Sequence, residues 1–259
     1  MLKKVIKAEW MKARHSFLPW MVILGGLFIP VVEGLIYLFR WASFVPEAGA
    51  NGWDTLLSTC MGLSAGLLFP FLVILMVAFN HHVEYKANAW KRLLVIPLGR
   101  TTLYGGKWLF LLLGLLVATL IQAAGIVLVG LLLGWLKPAL ALQLTGLPFG
   151  FLTLYTLRFY ITFFAILTIQ FVLNVLINNT LVTVVVGVFA YVLSMVLVQG
   201  WAYAVYDPYA LPMLIDWENA TRTPMFQWMG LYKPEWLSLL YSVLIAWGGL
   251  AFFKRVPVR

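Results

Sequence analysis

Residues 80–107, NHHVEYKANAWKRLLVIPLGRTTLYGGK, form a polar, basic island between two long apolar runs. Five of the 18 Lys/Arg lie in it, Lys86, Lys91, Arg92, Arg100 and Lys107, against the single acid Glu84. A compact charged loop in such an oily chain is a surface that another molecule can grip. The rest of the composition says what surrounds it. The chain is 63% hydrophobic and 10% charged over 259 residues, whereas soluble domains carry roughly a quarter charged residues. No fold of this length can hide so much apolar surface from water, so the bilayer is the solvent for most of it. The net charge of +9 is not gathered into a groove with interleaved aromatics, which argues against nucleic acid and for charge-directed membrane topology. The one cysteine, Cys60, lies in an apolar run and excludes an intramolecular disulfide.

A membrane-crossing helix needs about 20 mostly apolar residues. Six segments qualify: Phe17–Phe39, Leu56–Phe79, Trp108–Leu136, Phe159–Ile177, Leu181–Gly200 and Trp236–Phe253. They are too long and too uniformly apolar for barrel strands, and lipid tolerates no open sheet. The third is long enough to tilt, bend or extend past the hydrocarbon, with Gly114, Gly125, Gly130 and Gly134 as places to bend. The expected fold class is an all-α integral membrane protein of six helices, residues 1–259 forming one transmembrane domain.

The charges orient it. Lys3, Lys4, Lys7, Lys12 and Arg14, the five basic residues of the island, and Lys254, Arg255 and Arg259 put 13 cations on one side if both termini are cytosolic. The other side receives Arg40, Lys137, Arg158, Arg222 and Lys233 with six acids. This N-in, C-in arrangement obeys the positive-inside rule. The first run contains Glu33 and exceeds a signal-peptide core, so it reads as a retained anchor. Met1–Ser16, with Leu2, Val5, Ile6, Trp10 and Ala13 at helical spacing among lysines, reads as an amphipathic helix lying in the inner interface. Trp201–Glu235, rich in Trp, Tyr and Pro, suggests short helices or a re-entrant hairpin at the outer one.

The chemistry that is missing narrows the function. No G-x-x-x-x-G-K-[ST] phosphate loop occurs, so the chain carries no ATP site of its own. His15, His81 and His82 build neither a metal centre nor a nucleophile triad; no metal is expected and no catalytic residue is assigned. Polar residues within the spans are candidates for a substrate path, because they are costly there: Glu33, Gln122, Gln170 and Asn174. Gln170, Asn174 and Asn178 share one face of the fourth helix. The structural alternatives are amides bonding a neighbouring helix and Glu33 pairing with Arg40. Gly62-x-x-x-Gly66 and Gly130-x-x-x-Gly134 suit close helix approach, more readily inside the chain than across a dimer.

Within the island, Glu84–Leu94 can form an amphipathic helix that Pro97 ends. The order of basic start, span, outer loop, span, then Glu84, Tyr85, Lys86, Asn88, Trp90, Lys91, Leu93, Pro97, Arg100, Tyr104 and Lys107 leading into a third span resembles ABC-2 type transporter permeases. It is similar above all to the small six-helix permeases of lantibiotic and bacteriocin immunity exporters. Asp207-Pro208-Tyr209-Ala210-Leu211-Pro212 looks like that family's outer motif. The resemblance implies a multi-pass permease of the bacterial plasma membrane that binds no cofactor itself. It implies a cytosolic ABC ATPase partner in two copies, which holds ATP and magnesium, and a second permease, identical or homologous. It also implies that Glu84, Tyr85, Lys86, Asn88, Trp90, Lys91 and Arg92 form the coupling helix that docks into the ATPase. The cargo expected is an amphipathic peptide or hydrophobic antibiotic. The rival readings are a non-transporting scaffold or sensor subunit that uses the same loop, and a membrane enzyme acting on lipid. The latter would need a polar catalytic cluster at membrane depth.

Overall fold

A computed structural model describes residues 2–47, 50–86, 99–177, 179–215 and 231–255. These are helical apart from turns and short 3-10 segments. A short helix, α1 (Leu2–Ala13), precedes α2 (Leu18–Phe39). Then α3 (Gly52–Leu63), a π-turn at Ser64–Leu68 and α4 (Phe69–Lys86) run on as one rod. The longest helix, α5 (Arg100–Leu136), is followed by α6 (Phe149–Thr162), α7 (Phe164–Leu176), α8 (Thr180–Leu197) and α9 (Lys233–Arg255). Six rods among the described residues are long and apolar enough to cross a bilayer, counting α3–α4 and α6–α7 as one each. The all-helical, six-span expectation stands. The helices overrun the apolar runs where polar ends remain helical: α4 extends seven residues past Phe79, and α5 starts eight before Trp108. At 1.5 Å per residue the 37 residues of α5 span about 55 Å, well beyond a hydrocarbon core of about 30 Å.

Lys12 Nζ donates to the Asn80 carbonyl at 3.3 Å and an Arg100 guanidinium N–H to the Lys254 carbonyl at 2.8 Å. The end of α1, the start of α5 and the ends of α4 and α9 therefore share one end of the bundle, called here the basic end. At the opposite end Asn51 caps α3 by accepting from the Trp53 N–H and donates to the Gly146 carbonyl. There Lys137 lies over the Trp41 ring and Lys233 over the Tyr206 ring. Leu181, Val185, Phe189, Val192 and Val196 make an exposed apolar stripe down α8, a face suited to lipid and not to water.

The α3–α4 and α6–α7 rods are each interrupted within the described residues, and each interruption frees backbone groups that hydrocarbon would leave unsatisfied. Pro70 has no N–H to give the Gly66 carbonyl four residues earlier, and the Tyr191 hydroxyl of α8 donates to that carbonyl at 2.7 Å. Between α6 and α7, the Ser238 hydroxyl of α9 reaches the Ile161 and Thr162 carbonyls at 2.8 and 3.0 Å and accepts from the Ala165 N–H.

Glycines set the tightest seams. A Cβ on Gly34 would lie 2.4 Å from a Val129 methyl, and one on Gly26 would lie 2.8 Å from the Ala118 carbonyl. So α2 and α5 approach almost backbone to backbone. Gly125, Gly130 and Gly134, read from sequence as places to bend and the last two also as a close-approach pair, are points of contact: with Leu27 and Pro30, with the Trp53 ring, and with the Leu142 carbonyl. Ala141 adopts a left-handed φ of 52°, turning the chain so that the Leu140 and Leu142 carbonyls face Gly52 and Gly134. Gly66, by contrast, has open space where a Cβ would point. Gly134→Ala, whose methyl would meet the Leu142 oxygen at 2.3 Å, is expected to lose about 1–3 kcal/mol of stability by overpacking. Gly66→Ala is expected to leave thermal unfolding in detergent unchanged, and the pair of melting curves checks it.

Candidate functional site

The segment expected to form the coupling helix begins at the basic end, and the described residues include only Glu84–Lys86 of it. Glu84, Tyr85 and Lys86 belong to the last turns of α4. Asn88, Trp90, Lys91 and Arg92 lie outside the described residues. What is described is how both flanks of that loop are anchored. Arg100, Tyr104 and Lys107 fall at i, i+4 and i+7 on α5, all within its first turns. Arg100 bonds the Lys254 carbonyl at the end of α9, and the Tyr104 hydroxyl donates to the Ala246 carbonyl at 3.0 Å, so both hold the second half of that helix. The Tyr104 ring also packs edge-on against Phe171 of α7, 4.8 Å between centroids. Lys107 turns to α1, its ammonium donating to Glu9 Oε1 at 2.7 Å with the side chain 1% exposed. Glu9 also pairs with Lys12, which holds the Asn80 carbonyl of α4. Buried His81 donates through its Nδ1–H to the Val77 carbonyl and lies against Phe171.

The ion pair explains how α1 sits. Val5, Glu9 and Ala13, at i, i+4 and i+8, are its buried face. A Cβ on Gly106 would come within 2.6 Å of a Val5 methyl, so a glycine on α5 admits the helix. Leu2 and Trp10, read from sequence as part of one apolar face with Val5, stay exposed. Burial alone raises the Glu9 carboxyl, but Lys107 and Lys12 outweigh it and hold it below its ordinary value of 4.5. Sequence reading passed over Glu9 and treated Lys107 as a loop charge. The available signal was an acid inside the apolar stripe of an otherwise basic helix.

The buried amides occupy two separate seams. Gln122 of α5 donates to the Ser64 hydroxyl in the π-turn at 2.6 Å. Gln170 of α7 donates to the Tyr209 hydroxyl at 2.7 Å, and Asn174 bonds the Gln170 carbonyl while accepting from Thr183 of α8. A Cβ on Gly187 would overlap the Gln170 amide, so α8 carries a glycine opposite it. Gln170 and Asn174 are therefore brought together; Gln122 is not with them. Asn178 lies outside the described residues. Glu33 is buried in α2 and, among the described residues, forms no ion pair with Arg40, which is exposed.

Tyr209 reaches Gln170 because the chain after α8 folds back. Asp207 accepts from the Ser194 hydroxyl, three residues before α8 ends, and from the Tyr209 N–H. Ala210 and Leu211 are fully buried. The described part of the segment expected at the outer interface thus forms two short 3-10 turns, Ala204–Tyr206 and Leu211–Leu214, and packs inward at Asp207–Leu214. Near the same end Arg158 of α6 and Glu235 of α9 form a buried pair at 3.6 Å, with the guanidinium over the Tyr232 ring at 4.0 Å.

A family model described as ABC-2 family transporter protein matches residues 5–194. The match spans well over half of the chain, which belongs to the ABC-2 transporter family. It is a multi-pass membrane protein and a permease of an ABC transporter, and membership of the family implies association with an ABC ATPase. No curated protein matches the chain in a sequence search.

Breaking a buried pair by removing one partner leaves an uncompensated charge. Glu9→Gln is expected to lose about 3–5 kcal/mol, and the double variant Glu9→Gln/Lys107→Met to recover part of the loss. Because the folded chain holds Glu9 below its ordinary value, its share of stability is full above about pH 4.5. That share is lost as pH falls through the folded value. Melting temperatures from pH 7 to pH 3 check this: the acid-side loss is expected to be smaller in the double variant than in the native chain.

Proposed function

We propose that this chain is the membrane half of an ATP-driven exporter. It moves an amphipathic peptide or hydrophobic antibiotic out of the membrane or cytosol, as in lantibiotic self-immunity. Two copies of a cytosolic ABC ATPase hold the ATP and magnesium, and a second permease, identical or homologous, completes the unit. The chain itself performs no hydrolysis. The basic end faces the cytosol, and Glu84–Arg92 dock in the ATPase.

The observation that carries this reading, beyond family membership, is the anchoring of the loop's flanks. A push on the loop acts on the start of α5, and Arg100, Tyr104 and Lys107 tie that start to α9 and α1. ATPase closure then shifts three helix ends together instead of bending one loop. Leverage follows from the length of α5, which reaches from the basic end to the opposite rim. Where the rods separate, Gln122 and Gln170 supply polar contacts for the cargo. The Oε1 atoms of both are buried acceptors with no donor among the described residues, and this supports the assignment of Gln122 and Gln170 to the path; Asn174 and Glu33 join them as further buried polar residues of the spans.

Affinity purification in mild detergent, with chains identified and counted, is expected to return an ATPase and two permeases. Replacing Glu84, Tyr85 and Trp90 by alanine is expected to lower cargo-stimulated ATP turnover in liposomes at least about tenfold, a loss of coupling energy of at least about 1.4 kcal/mol. Folding should be retained. A purified assembly whose ATP turnover never responds to cargo fits the scaffold or sensor reading instead.

A further inference from the structure

A groove of about 450 Å³ runs between α1, α2 and α5. On α1 it is bounded by Ile6, Trp10 and Ala13, and it continues along α5 from Phe110 to Ile121, about 16 Å of helix. Its lining side chains are all apolar. It opens to the surface: Trp10 is 57% exposed, Val117 47% and Leu113 40%.

Position around α1 sets what stands at its mouth. At 100° per residue, the Val5–Glu9–Ala13 face packs on α5, the Ile6–Trp10 edge follows and lines the groove, and Lys3, Lys7 and Arg14 come next. All three cations are exposed; Arg14 Nε donates to His15 Nε2 at 2.9 Å, which holds its guanidinium beside the helix end. The exposed Trp10 is an indole at the boundary of an apolar slot and a basic stripe, the place where headgroups meet hydrocarbon. We propose that this groove is a binding site for an anionic phospholipid of the leaflet at the basic end. One acyl chain lies along α5, and the phosphate headgroup lies against the basic stripe that Lys3, Lys7 and Arg14 form over about 16 Å of α1 and the residue after it.

The division of labour follows from the solvent. An acyl chain gains nothing hydrophobic by leaving bilayer for groove, since both are hydrocarbon. The groove supplies shape and the stripe supplies selectivity: juxtamembrane lysines and arginines attract anionic lipid, and zwitterionic lipid offers them no net charge. A cationic peptide would meet like charges at the same mouth. The Glu9–Lys107 pair keeps α1 on α5 and so keeps both the groove's wall and the stripe in place. This site goes beyond the export reading, and its readout is lipid binding, so either can fail without the other.

The test uses the full chain in mixed phosphatidylcholine–phosphatidylglycerol nanodiscs, with retained lipid read by native mass spectrometry. The native chain is expected to retain phosphatidylglycerol over phosphatidylcholine by at least about tenfold. The surface variant K3Q/K7Q/R14Q is expected to retain lipid in the proportion of the nanodisc. Gly114→Leu, which places a side chain in the groove near the yielding Met76 thioether, is expected to lose the retained lipid while keeping helix content and monodisperse elution. Equal retention of the two lipids by the native chain overturns the proposal. So does a preference that survives in the charge variant, or lipid still held by Gly114→Leu. Displacement of phosphatidylglycerol from the native chain by an amphipathic cationic peptide would assign the groove to peptide and overturn it as well.

Discussion

Hydrocarbon offers no water to a carbonyl left over where a helix breaks, and this one shortage arranges the bundle. The π-turn before Pro70 and the break at Phe163 are two places among the described residues where the rods give up regular hydrogen bonding. Each is met by one hydroxyl from another helix, Tyr191 in the first case and Ser238 in the second. These contacts fix α8 against α4 and α9 against the α6–α7 junction, in register and not merely in contact. The buried amides extend the pattern. Gln122 binds the same π-turn, and Gln170 gathers Asn174, Tyr209 and the Gly187 face of α8 around it. Apolar packing among these helices has little to gain over packing against lipid, so the placement of polar groups and glycines carries much of the specificity.

The basic end obeys the same rule with charges. Lys107 begins α5 only a few residues from the loop, yet it is directed inward to Glu9 and not outward to water. An ammonium buried at that depth is tolerable only with its carboxylate. Glu9 in turn holds Lys12, and Lys12 holds the end of α4. The N-terminal helix is thus more than an interfacial float. It bridges α4 and α5 on either side of the loop, as Arg100 and Tyr104 bridge α5 to α9. Under the proposed function, this is what would convert a push on a short segment into movement of several helices.

Much of the architecture was legible in sequence because length and hydropathy suffice for it. Six spans, the amphipathic start and the inward-turning outer segment can all be read from runs of apolar and aromatic residues. Helix ends were harder: α4 and α5 continue through Asn80–Lys86 and Arg100–Lys107, where polar residues end the apolar signal without ending the helix. Gly130 and Gly134 of α5 were legible as a close-approach pair inside the chain, whereas Gly125 read only as a bend, since a contact point and a bend look alike until the partner helix is placed. Individual polar roles were the least legible. Ser238 is one of two serines in an apolar helix, and nothing nearby in sequence announces the distant break it repairs. Glu9 carried a readable clue, an acid between Val5 and Ala13 on the apolar stripe, but its partner lies 98 positions away.

The central claim is that α1 and α5 act as one body when the loop is driven. Val5 and Gly106 face each other where a Cβ on the glycine would lie 2.9 Å from the Val5 Cβ. A disulfide spans about 3.5–4.5 Å between Cβ atoms, so Val5→Cys/Gly106→Cys needs only a slight easing of the helices. The most direct measurement is cargo-stimulated ATP turnover of the assembled transporter carrying that pair, before and after oxidation. If the two helices move together, turnover is the same with the bond closed. Loss of turnover on oxidation, restored by reductant, would mean that α1 must part from α5 during the cycle and would contradict the account.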